Sequence, residues 1–341
     1  MTPTNPLRLG WAALVVASSV LLFGRSSRAD VEWRFDVGSR VLAAPAVAPN
    51  GTVYVGTGDG VVQAIAGTGV LRWSHMVEGA VAWAPVVGAD GRIYVATAAK
   101  RLYSFGPGGL AWQVRVPSHV QTELALMPPW GVVFGASGPS VWAYSARGAA
   151  LWHTDLSGLL TAGPVAVGKH ALVATGGGDL WLLEGAVKRP LARLGEEIRS
   201  IGGVFADGSC VVIAGHTLYR LDAKGELRFR RDGVEWASSD GDVTLAIDSR
   251  GALVRLGDDG AELSRAPLGA MASEAPVPAP TGEIYVPLES GELAVVGVEG
   301  AIRRVPIARV ALRRPTLDVT RHRVIVAASS GVVAAVTPSE Q

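Results

Sequence analysis

Cysteine is nearly absent from this 341-residue chain: Cys210 stands alone, so no internal disulfide can form. It lies in the apolar run CVVIA, where a thiol packs as a small inert hydrophobe rather than acting as a nucleophile. Lysine is scarce as well, since 27 of the 31 basic residues are arginine. That bias fits a GC-rich coding sequence as readily as a phosphate-binding surface. The formal charge of +1 falls to −2 once the three arginines of residues 1–29 are set aside. No basic excess is left to attract nucleic acid, so none is expected as a partner. The six histidines, at 75, 119, 153, 170, 216 and 322, show no i,i+2 or i,i+4 spacing. With no HExxH and no C-x-x-C-H, neither a zinc site nor haem attachment is expected. GTGDG (56–60), DGD (240–242) and DDG (258–260) read as turns between strands, lacking the following helix or the alternating ligands that phosphate or calcium loops require.

Long apolar runs are missing too. The longest, WAALVVASSVLLF (11–23), has 13 residues, too few to span a bilayer comfortably. Arg8 before it and SRA (27–29) after it give residues 1–29 the form of a cleaved secretory signal, with an uncleaved anchor as the alternative. No cysteine follows the apolar core, so no lipidation is expected. The mature chain, 30–341, is therefore expected to be periplasmic or secreted, without a transmembrane segment.

What the sequence has in quantity is glycine, 43 residues, and a recurring tryptophan. Trp33, Trp73, Trp112 and Trp152 stand about 40 residues apart, and proline follows three of them by twelve residues, at Pro45, Pro85 and Pro164. Leu191, Phe229, Ser264 and Arg303 continue the period. Eight units result: 33–72, 73–111, 112–151, 152–190, 191–228, 229–263, 264–302 and 303–341, the fifth and sixth being the most degraded. Each unit holds an Ala-Pro-type strand, a glycine-opened apolar strand such as TVYVGT or RIYVAT, a tight turn, a third strand, and the tryptophan strand. Repeats of this length with four strands predict an all-β fold: a single eight-bladed β-propeller of four-stranded antiparallel blades. The last unit stops after VVAAV (332–336), one strand short, while VEWRFDV (31–37) is one strand too many. Pairing these closes the ring and hides both edges. The four tryptophans are then wedges between blades.

The units YSARGAALW (144–152) and YRLDAKGELRF (219–229), with the glycine-opened strands before them, resemble the quinoprotein (PQQ-like) propeller repeat. That resemblance covers about 31–341 and implies the propeller fold. It implies one of two functions: quinone-dependent alcohol or sugar dehydrogenase, or non-enzymatic scaffold such as the propeller subunit of the outer-membrane β-barrel assembly machine. The enzymes are longer, with insertions that wall the cofactor, and many carry an adjacent cysteine pair that one cysteine cannot supply. No inserted segment offers an aspartate base with calcium ligands. The scaffold branch fits better, although the lipidation cysteine of the assembly subunit is missing.

Candidate binding residues come from the segments that lead each tryptophan strand into the next inner strand, at the mouth of the channel. Just before the proline or its equivalent stand Glu123, Asp240 and Arg314 among smaller residues; one position earlier stand Trp83, Glu274 and Arg313. Trp236 joins them because VEWASSD (234–240) departs most from the repeat. These seven side chains can bind a ligand, or satisfy one another and water in a polar channel. No catalytic residue and no metal ligand is assigned. The expectation is a monomeric, exported, non-enzymatic scaffold without cofactor, its partner another envelope protein or a peptide. The alternatives are a dehydrogenase using PQQ with calcium, and a sensor of small molecules or glycans.

Overall fold

Strands that are apolar on both faces need cover on both faces, and a radial array supplies it. The computed structural model describes residues 31–127 and 131–338; the proposed signal, 1–29, lies outside them. Eight four-stranded antiparallel sheets form the blades. Blades 1 to 7 span 46–76, 86–115, 120–155, 160–193, 198–232, 234–267 and 277–306. Blade 8 takes three strands from 316–336 and its outermost strand, Val31–Asp36, from the other end of the described chain. Trp33 pairs with Ala335 and Phe35 with Val333, so the ring closes as the repeat count requires. The one helical element among the described residues is a 3-10 turn at Val319–Arg321.

Burial follows position within a blade. The second strands are the most deeply buried; Ile93–Thr97 and Cys210–Ala214 are buried at every residue. The outer strands Leu71–Met76 and Leu227–Asp232 expose every second side chain toward their ends. Cys210 is buried, and desolvation pushes its thiol up to about 12, which leaves it inert at neutral pH. The apolar core consists of eight clusters, each made by two neighbouring blades. One unites Val53, Val55 and Ile65 of blade 1 with Ile325, Ala327, Val333 and Ala335 of blade 8.

The tryptophans sit at these seams. Trp33 and Trp112 each reach the turn of the next blade and donate their indole N–H to a carbonyl there, Gly67 at 3.0 Å and Ala146 at 2.9 Å. Trp73 stacks on Phe105 of blade 2, ring centres 5.3 Å apart. The residue facing each tryptophan across its sheet is small: Ala335, Ala64, Ser104 and Ala143. The turns beneath are glycine for two reasons. Gly69 has φ +83°, and a Cβ there would lie 2.8 Å from Trp33.

The inner strands come in two kinds. In blades 1, 2, 7 and 8, Pro45, Pro85, Pro276 and Pro315 remove a ladder donor, and only Ala46–Val47, Val86–Val87, Val277–Pro278 and Thr316–Asp318 remain as regular strand. Blades 3 to 6 carry longer inner strands, Val120–Met127, Leu160–Val167, Ile198–Val204 and Val234–Asp240, with Pro164 accommodated in a bulge of the second.

Candidate functional site

The starts of the long inner strands and the Pro-broken segments opposite them surround a cavity of about 290 Å³ at one end of the channel. Glu123, Arg199 and Trp236 reach it from blades 3, 5 and 6. Trp83, Glu274 and Arg314 reach it from the segments leading into Pro85, Pro276 and Pro315. Five of the seven sequence-predicted residues are thus brought together: Trp83, Glu123, Trp236, Glu274 and Arg314.

Both indoles are half-buried, each packing against an inter-blade cluster while lining the cavity. The N–H of Trp236 points to the Ala272 carbonyl, 3.3 Å away, which fixes the ring across blades 6 and 7. Glu274 is the electrostatic centre. Burial among the channel walls raises its pKa, and the Glu123 carboxylate across the mouth adds to the rise. The Arg314 backbone N–H at 3.0 Å and the Arg313 guanidinium at 3.6 Å act in the opposite direction without cancelling it. Arg313 does not line the cavity. It reaches sideways, donating to the Val41 carbonyl at 3.2 Å while lying 3.6 Å from Glu274, and so ties the segment leading into blade 1 to Glu274.

Asp240 is not brought to the mouth. It ends the Val234–Asp240 strand at the hairpin where it faces Val243, and its carboxylate lies 3.5 Å from Arg255. Blade 6 lacks the proline that marks the phase elsewhere, so a twelve-residue count from Phe229 runs past the mouth, where the strand in fact presents Trp236 and Ala237. Arg199 is the residue that counting missed. It lines the cavity while bonding the Gly215 carbonyl and lying 3.5 Å from Glu235. Three cationic or anionic side chains besides Glu274 therefore face one another across two indoles, an arrangement suited to gripping a polar chain with an apolar side chain.

The carboxylates of the cavity are Glu123 and Glu274, the second 3.6 Å from the Arg313 guanidinium, and Gln121, Thr122, Thr161 and Ser200 add neutral oxygen donors. Among the described residues no three His, Cys, Asp or Glu side chains converge on one point. No helix among them is long and apolar enough to cross a membrane.

A family model described as outer membrane protein assembly factor BamB matches residues 58–134, from the first blade into the third. No curated protein matches the chain in sequence. Among solved structures, the computationally designed Ika8 protein superposes with a TM-score of 0.71 at 17% identity, covering 89% of this chain and 98% of that one. Sqt1 of Saccharomyces cerevisiae gives 0.74 at 13% identity, covering 92% and 100%. BamB from Moraxella catarrhalis gives 0.59 at 15% identity, covering 91% and 87%. The chain is an eight-bladed propeller with a BamB-like repeat, and at these identities its likeness to the solved proteins is one of fold.

Proposed function

We propose that this protein is a non-enzymatic interaction scaffold of the cell envelope, which holds an extended segment of a partner protein at the channel mouth. The observation that carries this reading is the cavity itself, where Trp83 and Trp236 stand among Glu123, Arg199, Glu274 and Arg314 on a rigid ring. Tryptophan and arginine are the side chains that most often anchor protein interfaces. The cavity is open and lined by charged as well as apolar side chains, unlike the dry enclosed pocket in which preorganised dipoles stabilise a transition state. The reading assigns no catalytic step and no bound cofactor. It places the mature chain outside the cytoplasm as a monomer, with residues 1–29 removed on export. The likeness to BamB, named as an outer-membrane assembly factor, supports an envelope partner.

Three measurements test the reading. Replacing Trp83 and Trp236 by Ala is expected to abolish partner recovery from envelope extracts while the melting profile keeps a single transition. Intact mass of envelope material is expected to lack residues 1–29. Added PQQ and calcium are expected to give no dye-linked oxidation of alcohols or sugars; turnover lost on changing Glu123 would replace the scaffold by a dehydrogenase.

A further inference from the structure

The seams between blades are copies of one another, so a filled seam shows what an unfilled one is shaped to hold. At the seam of blades 8 and 1 the indole of Trp33 lies over the turn that ends in Gly69; at blades 2 and 3 that of Trp112 lies over the turn ending in Gly148. At blades 6 and 7 the wedge position is Ser264, which faces Arg255 across its sheet. The space left open there is a cavity of about 250 Å³. Three of its walls and its floor are the register equivalents of those around Trp33: Leu253, Ile284, Val296 and the turn 297–300; the fourth wall is Arg255, which stands where Ala335 faces Trp33. A Cβ built on Gly69 or Gly148 meets the indole at 2.8 or 3.0 Å, whereas one built on Gly300 meets nothing within 4 Å. The floor of this slot is bare. Where the wedge is Leu191, between blades 4 and 5, the remaining cavity is smaller, about 150 Å³.

We infer that the slot between blades 6 and 7 is a docking site for a tryptophan side chain carried by a second polypeptide. The volume is adequate, since an apolar cavity of about 150 Å³ already admits benzene. The Val298 carbonyl, equivalent by position to those of Gly67 and Ala146, supplies the acceptor for the indole N–H. Arg255 lines the slot and offers a cation to the ring face; at the Trp33 seam an arginine of a different strand, Arg323, stands 5.9 Å from the ring centre. A polypeptide rather than free indole is favoured by what surrounds the opening. Val298, in the lining turn, is 62% exposed, apolar area that a lone ring would leave uncovered. The strand Glu262–Pro267 is the outer edge of its blade and has backbone groups for an added strand. This slot is on the rim, apart from the channel mouth, and stands or falls independently of the scaffold reading.

The test titrates the full mature protein into a short peptide with one central 5-fluorotryptophan flanked by leucines, read by fluorine NMR. Saturable shift or broadening is expected, with the Trp→Ala peptide failing to compete for the site and free indole competing only weakly. Ser264→Trp fills the slot from within and is expected to abolish binding. Val298→Asp, at an exposed lip where the fold has little at stake, is expected to weaken it about tenfold or more. No saturable change at millimolar peptide overturns the inference. So does binding that persists in both variants, and free indole that binds as tightly as the peptide overturns the polypeptide as occupant.

Discussion

The two halves of the ring are held together by different means. From blade 8 through blade 4, four successive seams are closed by tryptophan, each facing an alanine or serine that makes room for it. From blade 4 through blade 8 the same position carries Leu191, Phe229, Ser264 and Arg303, and no two seams are closed alike. Leucine leaves a cavity, serine a larger one. Phenylalanine is supplemented by Arg220, fully buried, whose guanidinium lies on the Phe205 ring and donates to Asp258 of blade 6 at 3.2 Å. Arg228 ties the same Asp258 to Asp207, so a clip of two arginines and two aspartates does what one indole does elsewhere. The same ring geometry is thus kept with four different wedge side chains in one half and with one in the other.

Trp33→Ala would break the contrast most severely. It opens the seam that also closes the ring, and a cost of about 3–5 kcal/mol is expected in chemical unfolding. Asp258→Ala attacks the substitute device: Arg220 stays buried without its carboxylate, and a loss of about 1–3 kcal/mol is expected, less than for tryptophan because Asp258 is itself half-exposed. Ser264→Trp should make the variable half resemble the other. A gain of about 0.5–2 kcal/mol is expected as the slot is filled, and a loss would show that the slot is not shaped for an indole.

The smallest effect is expected from pH. The Ser209 hydroxyl, then the Ser209 backbone N–H and then Arg228 hold Asp207 down to about 2, against an ordinary 3.8. A depressed carboxylate contributes stability above pH 3.8, and that contribution fades as pH falls toward about 2. Asp207→Asn should therefore flatten the stability curve between about pH 4 and 2 by less than about 1 kcal/mol, since solvent screens this half-exposed group. A neutral-pH loss as large as that of Trp33→Ala would mean that the clip matters more than the contrast allows.

The blades were legible in the sequence because each seam of the tryptophan half repeats the same spacing, and because turn glycines such as Gly69 and Gly148 mark every third-to-fourth strand hairpin there. Ring closure was legible from the strand left over at Val31–Asp36. The mouth was legible where proline fixes the phase, which is why Trp83, Glu274 and Arg314 were found. Counting did not reach it fully in blades 5 and 6, where Trp236 stands out only because VEWASSD departs from the repeat. There the long inner strands bulge without proline, with register shifts at Ile201/Gly203 and Val234/Trp236. In blade 5 the counted position holds only Gly202, and Arg199 enters the cavity three residues before it; in blade 6 the count overshoots to Asp240. Nor could spacing show that Arg313 reaches sideways to Val41, because neighbouring residues on an irregular segment need not share a side.

Site-specific photo-crosslinking in intact envelopes reads out what lies against the channel mouth. With the photoreactive residue at position 83 or 236 the account predicts one discrete polypeptide adduct, diminished by Glu123→Gln together with Arg314→Gln. With it at position 223, in the third-to-fourth strand turn of blade 5, no such adduct is predicted. The same adduct from every position, or none from the mouth, would contradict a scaffold that works through its channel mouth.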